Sequence, residues 1–406
     1  MANISELPQE ILDLIFQYII AASRPTRGRP WVHHHGVVLY RAGPLRLVCR
    51  TWADWLYQHH LYHSLSFSST SQSLAFIDHL QTRSRTFPRP HCENLRVANI
   101  WTCDQDVPQF RPQLDKINSE ILESFIEVFS SSITTLHLHF MHFFTPPTQT
   151  IKAIGRVKNL NDLKLNLYLI TRSASEVTAE ESACFNSLMM EAQGLKTLQL
   201  SFPVPLPYNP DQITGTQYPS ITHLEVDTFY EFDSNATVGV LKALKRSLKL
   251  LSIRDPDPFI DDDEDEDERG GQALLSVDEK LAETIQGLAV HFAPSLCPIL
   301  HLNFPKLRVV VIQGFERSFS ILRWLGKFSQ APPIGIIAIR SEAEVDLAEI
   351  MLDAFSMLPR LRKLVFIDTT PEYSPSPIHL AACEAHHVEC IYLWHDDLGE
   401  IRKLLL

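Results

Sequence analysis

One apolar pattern recurs along most of this 406-residue chain and restricts the fold more than any other feature. Aliphatic or aromatic residues at first, fourth and sixth positions appear as Ile133/Leu136/Leu138, Leu160/Leu163/Leu165, Leu195/Leu198/Leu200, Ile221/Leu224/Val226 and Leu248/Leu251/Ile253. They return as Leu307/Val310/Ile312, Ile334/Ile337/Ile339, Leu361/Leu364/Phe366 and Val388/Ile391/Leu393, with looser copies at Tyr62/Leu65/Phe67 and Leu95/Ala98/Ile100. From Ile133 the first positions advance by 27, 35, 26, 27, 59, 27, 27 and 27 residues. An arbitrary apolar sequence does not keep returning to one period, so the chain reads as a stack of like units. The two long steps are expected to be insertions, and the 59-residue step contains Asp261–Glu268, eight consecutive acidic residues.

Side chains alternate across a strand, so the fourth and sixth positions point to one face and must enter a core. A single unit cannot bury that face, whereas stacked neighbours form a continuous one. Helical spacing fills the intervals. Ile121, Leu122, Phe125, Ile126 and Phe129 make one stripe; Val345, Ala348, Met351, Leu352 and Phe355 make a second; Leu281, Ile285 and Leu288 make a third. Strand, turn, helix and return to a parallel strand is the unit of the leucine-rich repeat, whose period range the spacing fits. The expected class is therefore α/β, a solenoid with a curved parallel sheet on its concave side and helices on its convex side. A doubly wound α/β domain also alternates strands and helices, but no G-x-G-x-x-G or G-x-x-x-x-G-K-[ST] loop is present.

The formal net charge is -12, of which the acidic run supplies eight, leaving a mildly acidic remainder. Such a surface disfavours the phosphate backbone of nucleic acids. No apolar stretch approaches bilayer length, and the first ten residues lack a basic segment followed by an apolar one. The seven cysteines, odd in number and without framework spacing, suit a reducing compartment. The expectation is a cytoplasmic or nuclear protein with no nucleic-acid or membrane partner.

Residues 1–65 depart from the repeat. Leu7-Pro8-Gln9-Glu10 suits a helix start, with Pro8 in the first turn and Glu10 near the positive end of the dipole. Ile11, Leu12, Ile15, Phe16, Tyr18 and Ile19 cover more than one helical face, so part of this surface packs internally and part is available to a partner. A second block reads Leu45-Arg-Leu-Val-Cys-Arg-Thr-Trp52. These two motifs, in this order and followed by Leu61–Phe67, resemble the F-box. The resemblance covers about the first 65 residues. It implies a small helical module that docks on the Skp-type adaptor of a cullin–RING ubiquitin ligase, with Leu7, Pro8, Ile11, Leu45, Val48, Cys49 and Trp52 as the residues carried over. It further implies a non-catalytic, substrate-recognition role, with the repeat domain at 66–406 holding a target protein. The inserted segment at 21–44, longer than the usual connection, reads as a basic loop, and the segment near 255–272 as an acidic one.

Residues flanking the fourth and sixth positions should line the concave face. In the early repeats they are polar: Thr135, His137 and His139; Asp162, Lys164 and Asn166; Thr197, Gln199 and Ser201; His223, Glu225 and Asp227. These are expected to be solvated. In the later repeats Val309, Val311, Ile336, Val365, Tyr392 and Trp394 lie beside Arg340 and Lys363. Apolar patches with aromatic and basic anchors mark protein-binding surfaces, so these eight residues are the expected target site. Cys383, His386, His387 and Cys390 are metal-capable types, but their spacing matches no familiar zinc pattern, and no metal or cofactor is expected. No G-x-S-x-G, H-E-x-x-H or kinase motif set is present.

Overall fold

The computed structural model describes residues 62–82, 91–102, 115–168, 178–201, 218–227, 234–254, 277–291, 293–313, 332–340, 358–367, 373–375 and 377–393. It also describes the single positions Ile11, Leu14, Ile15, Leu47, Ala53, Leu56, Tyr57, Leu274 and Thr369. The chain forms two compact units, one of residues 1–140 and 146–160, the other of residues 141–145 and 161–406.

In the first unit, strands β1 (Ser64–Phe67), β2 (Asn94–Ile100) and β3 (Thr135–Met141) pair in parallel and in sequence order. Helices α1 (Thr70–Thr82), α2 (Ser119–Phe129) and α3 (Thr148–Gly155) occupy the intervals. The predicted stripe of α2 is buried in full, from Ile121 to Phe129. Asn118 caps this helix by accepting the Ile121 amide at 3.0 Å, which supplies a partner to one of the orphan donors of its first turn. Strand and helix meet through aromatic rings: Phe67 of β1 stacks on Phe125 of α2 with centroids 4.2 Å apart. The looser copy at Leu95 has a different phase from the one expected. Leu95 pairs with Leu136 and Val97 with Leu138, so the repeat reads Cys92/Leu95/Val97, and all three side chains are buried. The register then shifts between Val97 and Ile100, where Asn99 adopts φ 57°. The bulge returns Ile100 to the core face, which lets Leu95, Ala98 and Ile100 imitate the template.

The second unit holds nine parallel strands in sequence order: β4 (Asp162–Tyr168), β5 (Thr197–Ser201), β6 (His223–Asp227), β7 (Leu250–Arg254), β8 (Gly287–Val290), β9 (Val309–Ile312), β10 (Ile336–Arg340), β11 (Lys363–Ile367) and β12 (Glu389–Tyr392). Among the described helices are α4 (Ala179–Glu191), α5 (Ser234–Leu244), α6 (Glu279–Ala282) and α7 (Pro377–Ala385), with a 3-10 turn at Ala293–Ile299. Helix α4 starts with a reciprocal capping box between Thr178 and Glu181. Glu181 is fully buried, and its second oxygen accepts the Phe144 amide at 3.0 Å.

The strands are joined by one repeated device. The carbonyl before a strand accepts two successive amides from the next repeat, as at Lys196 O from Thr222 and His223, Thr222 O from Lys249 and Leu250, Gln286 O from Arg308 and Val309, and Gly335 O from Arg362 and Lys363. Every such ladder is indifferent to the side chains it carries, so the polar and the apolar repeats stack alike. The architecture is an α/β leucine-rich repeat in which strand order equals sequence order.

One expectation about the insertions is corrected. The 59-residue step is not a single unit with an insertion, because β8 lies inside it and pairs with both β7 and β9. Ile285/Leu288/Val290 is a repeat of the same template. Leu281 belongs to the short helix α6, whereas Leu288 lies in the strand, so the helical stripe assigned to Leu281, Ile285 and Leu288 ends early. Apolar residues three and four apart fit both periodicities over so short a run. The stripe at 345–355, the basic segment at 21–44 and the acidic segment near 255–272 lie outside the described residues.

Candidate interaction surface

The register places the side chains of the second unit's open sheet face, opposite its repeat core, in three rows. The first runs Asp162, Thr197, His223, Leu250, Gly287, Val309, Ile336, Lys363, Glu389. The second runs Lys164, Gln199, Glu225, Ser252, Ala289, Val311, Ala338, Val365, Ile391. The third includes Asn166, Ser201, Asp227 and Arg254 at one end and Arg340 and Ile367 near the other.

At β5–β7 this face is charged but not solvated, contrary to the expectation for the early repeats. His223, Glu225, Asp227 and Ser252 are all buried. Arg254, in register with Asp227, brings its Nε to 2.9 Å from Glu225 Oε1 and 3.8 Å from Asp227 Oδ1. The shorter contact is an ion pair whose N–H is not aligned as a straight hydrogen bond. Ser201 donates its hydroxyl to the other oxygen of Asp227. Burial pushes the Asp227 carboxyl above the usual carboxylate range, and the Arg254 charge and the Ser201 hydroxyl only partly offset it. One guanidinium thus serves two carboxylates in a site largely closed to water.

At β8–β11 the face is apolar and equally closed. Val309, Val311 and Val365 are 0 % exposed and form a cluster with Ala289, Ala338 and Ile367, against which Ile336, Ile391 and Leu393 pack. These valines are closed to water on the open face as well as between strands. Val309, Val311 and Val365 are therefore core residues and not members of an exposed target site. Ile336, Arg340 and Lys363 remain partly exposed. Arg340 donates to Gln313 O at 3.2 Å, and Lys363 Nζ lies 3.7 Å from Glu389 Oε2.

The last strand carries a second correction. The template aligned Ile391 and Leu393 with Leu364 and Phe366, but β12 pairs Cys390 with Leu364 and Tyr392 with Phe366. A slip of one residue moves every side chain to the other face. Tyr392 therefore leaves the open face and stacks on Phe366, with centroids 5.7 Å apart and rings 14° from parallel. Cys390 turns toward α7 and lies beside Cys383, whose thiol is pushed up to about 12, chiefly by burial. Cys383 and Cys390 thus meet across a helix–strand contact. Among the described residues no three metal-capable side chains gather. Trp394 lies outside the described residues.

Of the residues carried over from the F-box, Leu7, Pro8, Leu45, Val48, Cys49 and Trp52 lie outside the described residues. Ile11 is described, in a helical position and 42 % exposed. Leu14 and Leu47 are more exposed still, at 60 % and 80 %, whereas Leu56 is fully buried.

No known protein family and no curated protein matches the sequence. Among the solved structures that the chain matches are two with broad coverage. A leucine-rich repeat-containing protein, LegL7 from Legionella pneumophila, is 12% identical, with 80% of this chain and 97% of that one covered at a TM-score of 0.46. A chain of the yeast Rad7 and Elc1 complex is 12% identical, with 96% of this chain and 98% of that one covered at a TM-score of 0.37.

Proposed function

We propose that this chain is the substrate-recognition subunit of an SCF-type ubiquitin ligase, with its N-terminal helices docking on a Skp-type adaptor and its repeats holding a target protein. The observation that carries the reading is the contrast within the N-terminal segment. Ile11, Leu14 and Leu47 are large apolar side chains left open to water, while Leu56 is fully buried. Helices that served only to cap the repeats would bury such residues, whereas a docking module leaves an apolar cluster for its partner. The two motifs that resemble the F-box lie in this same segment. In this reading the chain is a proximity device of the cytosol or nucleus, and the bond-making steps belong to other subunits.

The test is co-purification of adaptor and cullin with the wild-type chain, with Leu7→Ala/Pro8→Ala and with Ile11→Asp/Leu14→Asp. Retention of both partners by wild type and loss in each variant is the expected result. Retention of the adaptor without the cullin would indicate a scaffold instead of a ligase subunit. No retention by the wild type would make the N-terminal helices a cap.

A further inference from the structure

The second unit carries a groove of about 610 Å³ along the leading edge of β9–β11. Its walls come from equivalent positions of three successive repeats. Lys306, Pro333 and Arg360 stand 27 residues apart, as do Arg308, Gly335 and Arg362. The two rows are locked in register by backbone hydrogen bonds, Gly335 N to Arg308 O at 2.9 Å and Arg362 N to Gly335 O at 2.8 Å. The outer repeats therefore each present two cations, and the middle repeat presents none.

Neighbouring strands lie about 4.8 Å apart, so the two cationic walls stand about 10 Å apart at their backbones. Between them the floor is Pro333 and Gly335. A Cβ at Gly335 would meet only Arg360 O at 3.6 Å and Arg308 O at 3.9 Å, which is ordinary contact. Space does not force glycine here; its effect is to keep the floor low between two guanidinium groups. Lys306, Arg308, Arg360 and Arg362 are all exposed, and among the described residues no carboxylate lines the groove. At one end Lys363 lies near Glu389 at 3.7 Å, an exposed pair that leaves the four other cations unneutralised. On a chain of net charge -12 this is a local reversal of sign.

We propose that this groove binds an extended, carboxylate-rich segment of a partner protein. Four cations at the corners of a trough suit a chain of charges laid along it better than a single compact anion. Arginine forks match carboxylates in a two-point geometry, and opposite charge speeds encounter. The inference rests on the reading above only in that the repeats hold a partner protein; adaptor docking plays no part in it.

Fluorescence anisotropy with the full-length chain tests it, using a labelled twelve-residue Asp/Glu-rich peptide, its Asn/Gln counterpart and a single-stranded oligonucleotide. Lys306→Gln/Arg360→Gln and Arg308→Gln/Arg362→Gln should each weaken acidic-peptide binding by about tenfold or more. Arg156→Gln/Lys158→Gln, exposed cations of the first unit, should leave it unchanged. The same titration on a chain with positions 261–268 changed to Ser and Gly removes its own carboxylates as competitors. Equal affinity for the Asn/Gln peptide, tighter binding of the oligonucleotide through the same four residues, or no binding by the chain lacking the acidic run would overturn the proposal. Peptide binding by a chain that fails to retain the adaptor would leave this inference standing and remove the ligase reading; the converse would do the reverse.

Discussion

Strands β6 and β9 of the second unit occupy equivalent places in the repeat yet carry opposite chemistry. On the open face β6 presents His223, Glu225 and Asp227, and β9 presents Val309 and Val311. All five are buried. The backbone ladder beneath them is the same in both, with one carbonyl receiving two successive amides from the next repeat. The fold is thus insensitive to the polarity of this face. The energetic consequences differ. Burying the valines is favourable on its own, whereas burying two carboxylates requires Arg254 to offset their desolvation.

The comparison is broken most forcefully by a charge in the apolar half. Val311→Asp should destabilise the unit by about 4 kcal/mol or more, read as a shift in the urea midpoint at unchanged slope. A loss below about 1 kcal/mol would mean that the valine row faces water and remains a candidate docking surface. In the charged half, Arg254→Met leaves Glu225 and Asp227 without their cation and should cost about 3 kcal/mol by the same measurement. A neutral result would place those carboxylates in solvent and restore the expectation made for the polar repeats.

A smaller effect separates the two faces at the C-terminal end. Tyr392→Ala removes the stack on Phe366 and should cost about 1 kcal/mol, even though the ring is partly exposed. No change would favour the other phase of β12. The smallest effect belongs to Asp227→Asn, which should be neutral or slightly stabilising at pH 7. The folded-state pKa of Asp227 is raised, chiefly by burial, so its contribution is fully present below the unfolded carboxylate pKa and is lost as pH rises through the folded value. Wild type should therefore gain on Asp227→Asn as pH falls toward 4, and paired unfolding curves at pH 4 and 7 would show it. A gap that moved the other way would make the Arg254 attraction the dominant influence.

Most of the fold was legible because a repeat writes its period into the sequence. The strands from β3 to β7 and from β9 to β11 follow the first, fourth and sixth positions as read, and α2 follows its stripe. The failures have local causes. At β2 a one-residue bulge at Asn99 returns Ile100 to the core face, so that Leu95, Ala98 and Ile100 imitate the template, and β8 was hidden because Ile285 and Leu288 fit a helix as well as a strand. For β12 the three apolar residues Val388, Ile391 and Leu393 imitated the template, yet the repeat is one residue shorter. Leu364 follows Ile337 by 27 residues and Cys390 follows Leu364 by 26. The candidate surface suffered more than the fold, since Val309, Val311 and Val365 are buried and Tyr392 lies on the other face. The signal that was available and unused was the same period applied to charge: Lys306 and Arg360 flank Pro333, and Arg308 and Arg362 flank Gly335, at the spacing already in hand.

The sequence by itself determined that strands of this protein must stack in order and in parallel, because apolar residues repeated at a fixed interval can be buried only against their own copies. It also determined which side chains share a face wherever the interval holds. Only the tertiary structure decided which faces are closed to water and where the register slips. Those outcomes depend on packing between residues distant in sequence and on single-residue differences in repeat length. Neither leaves a periodic mark, and one residue is enough to turn a strand over.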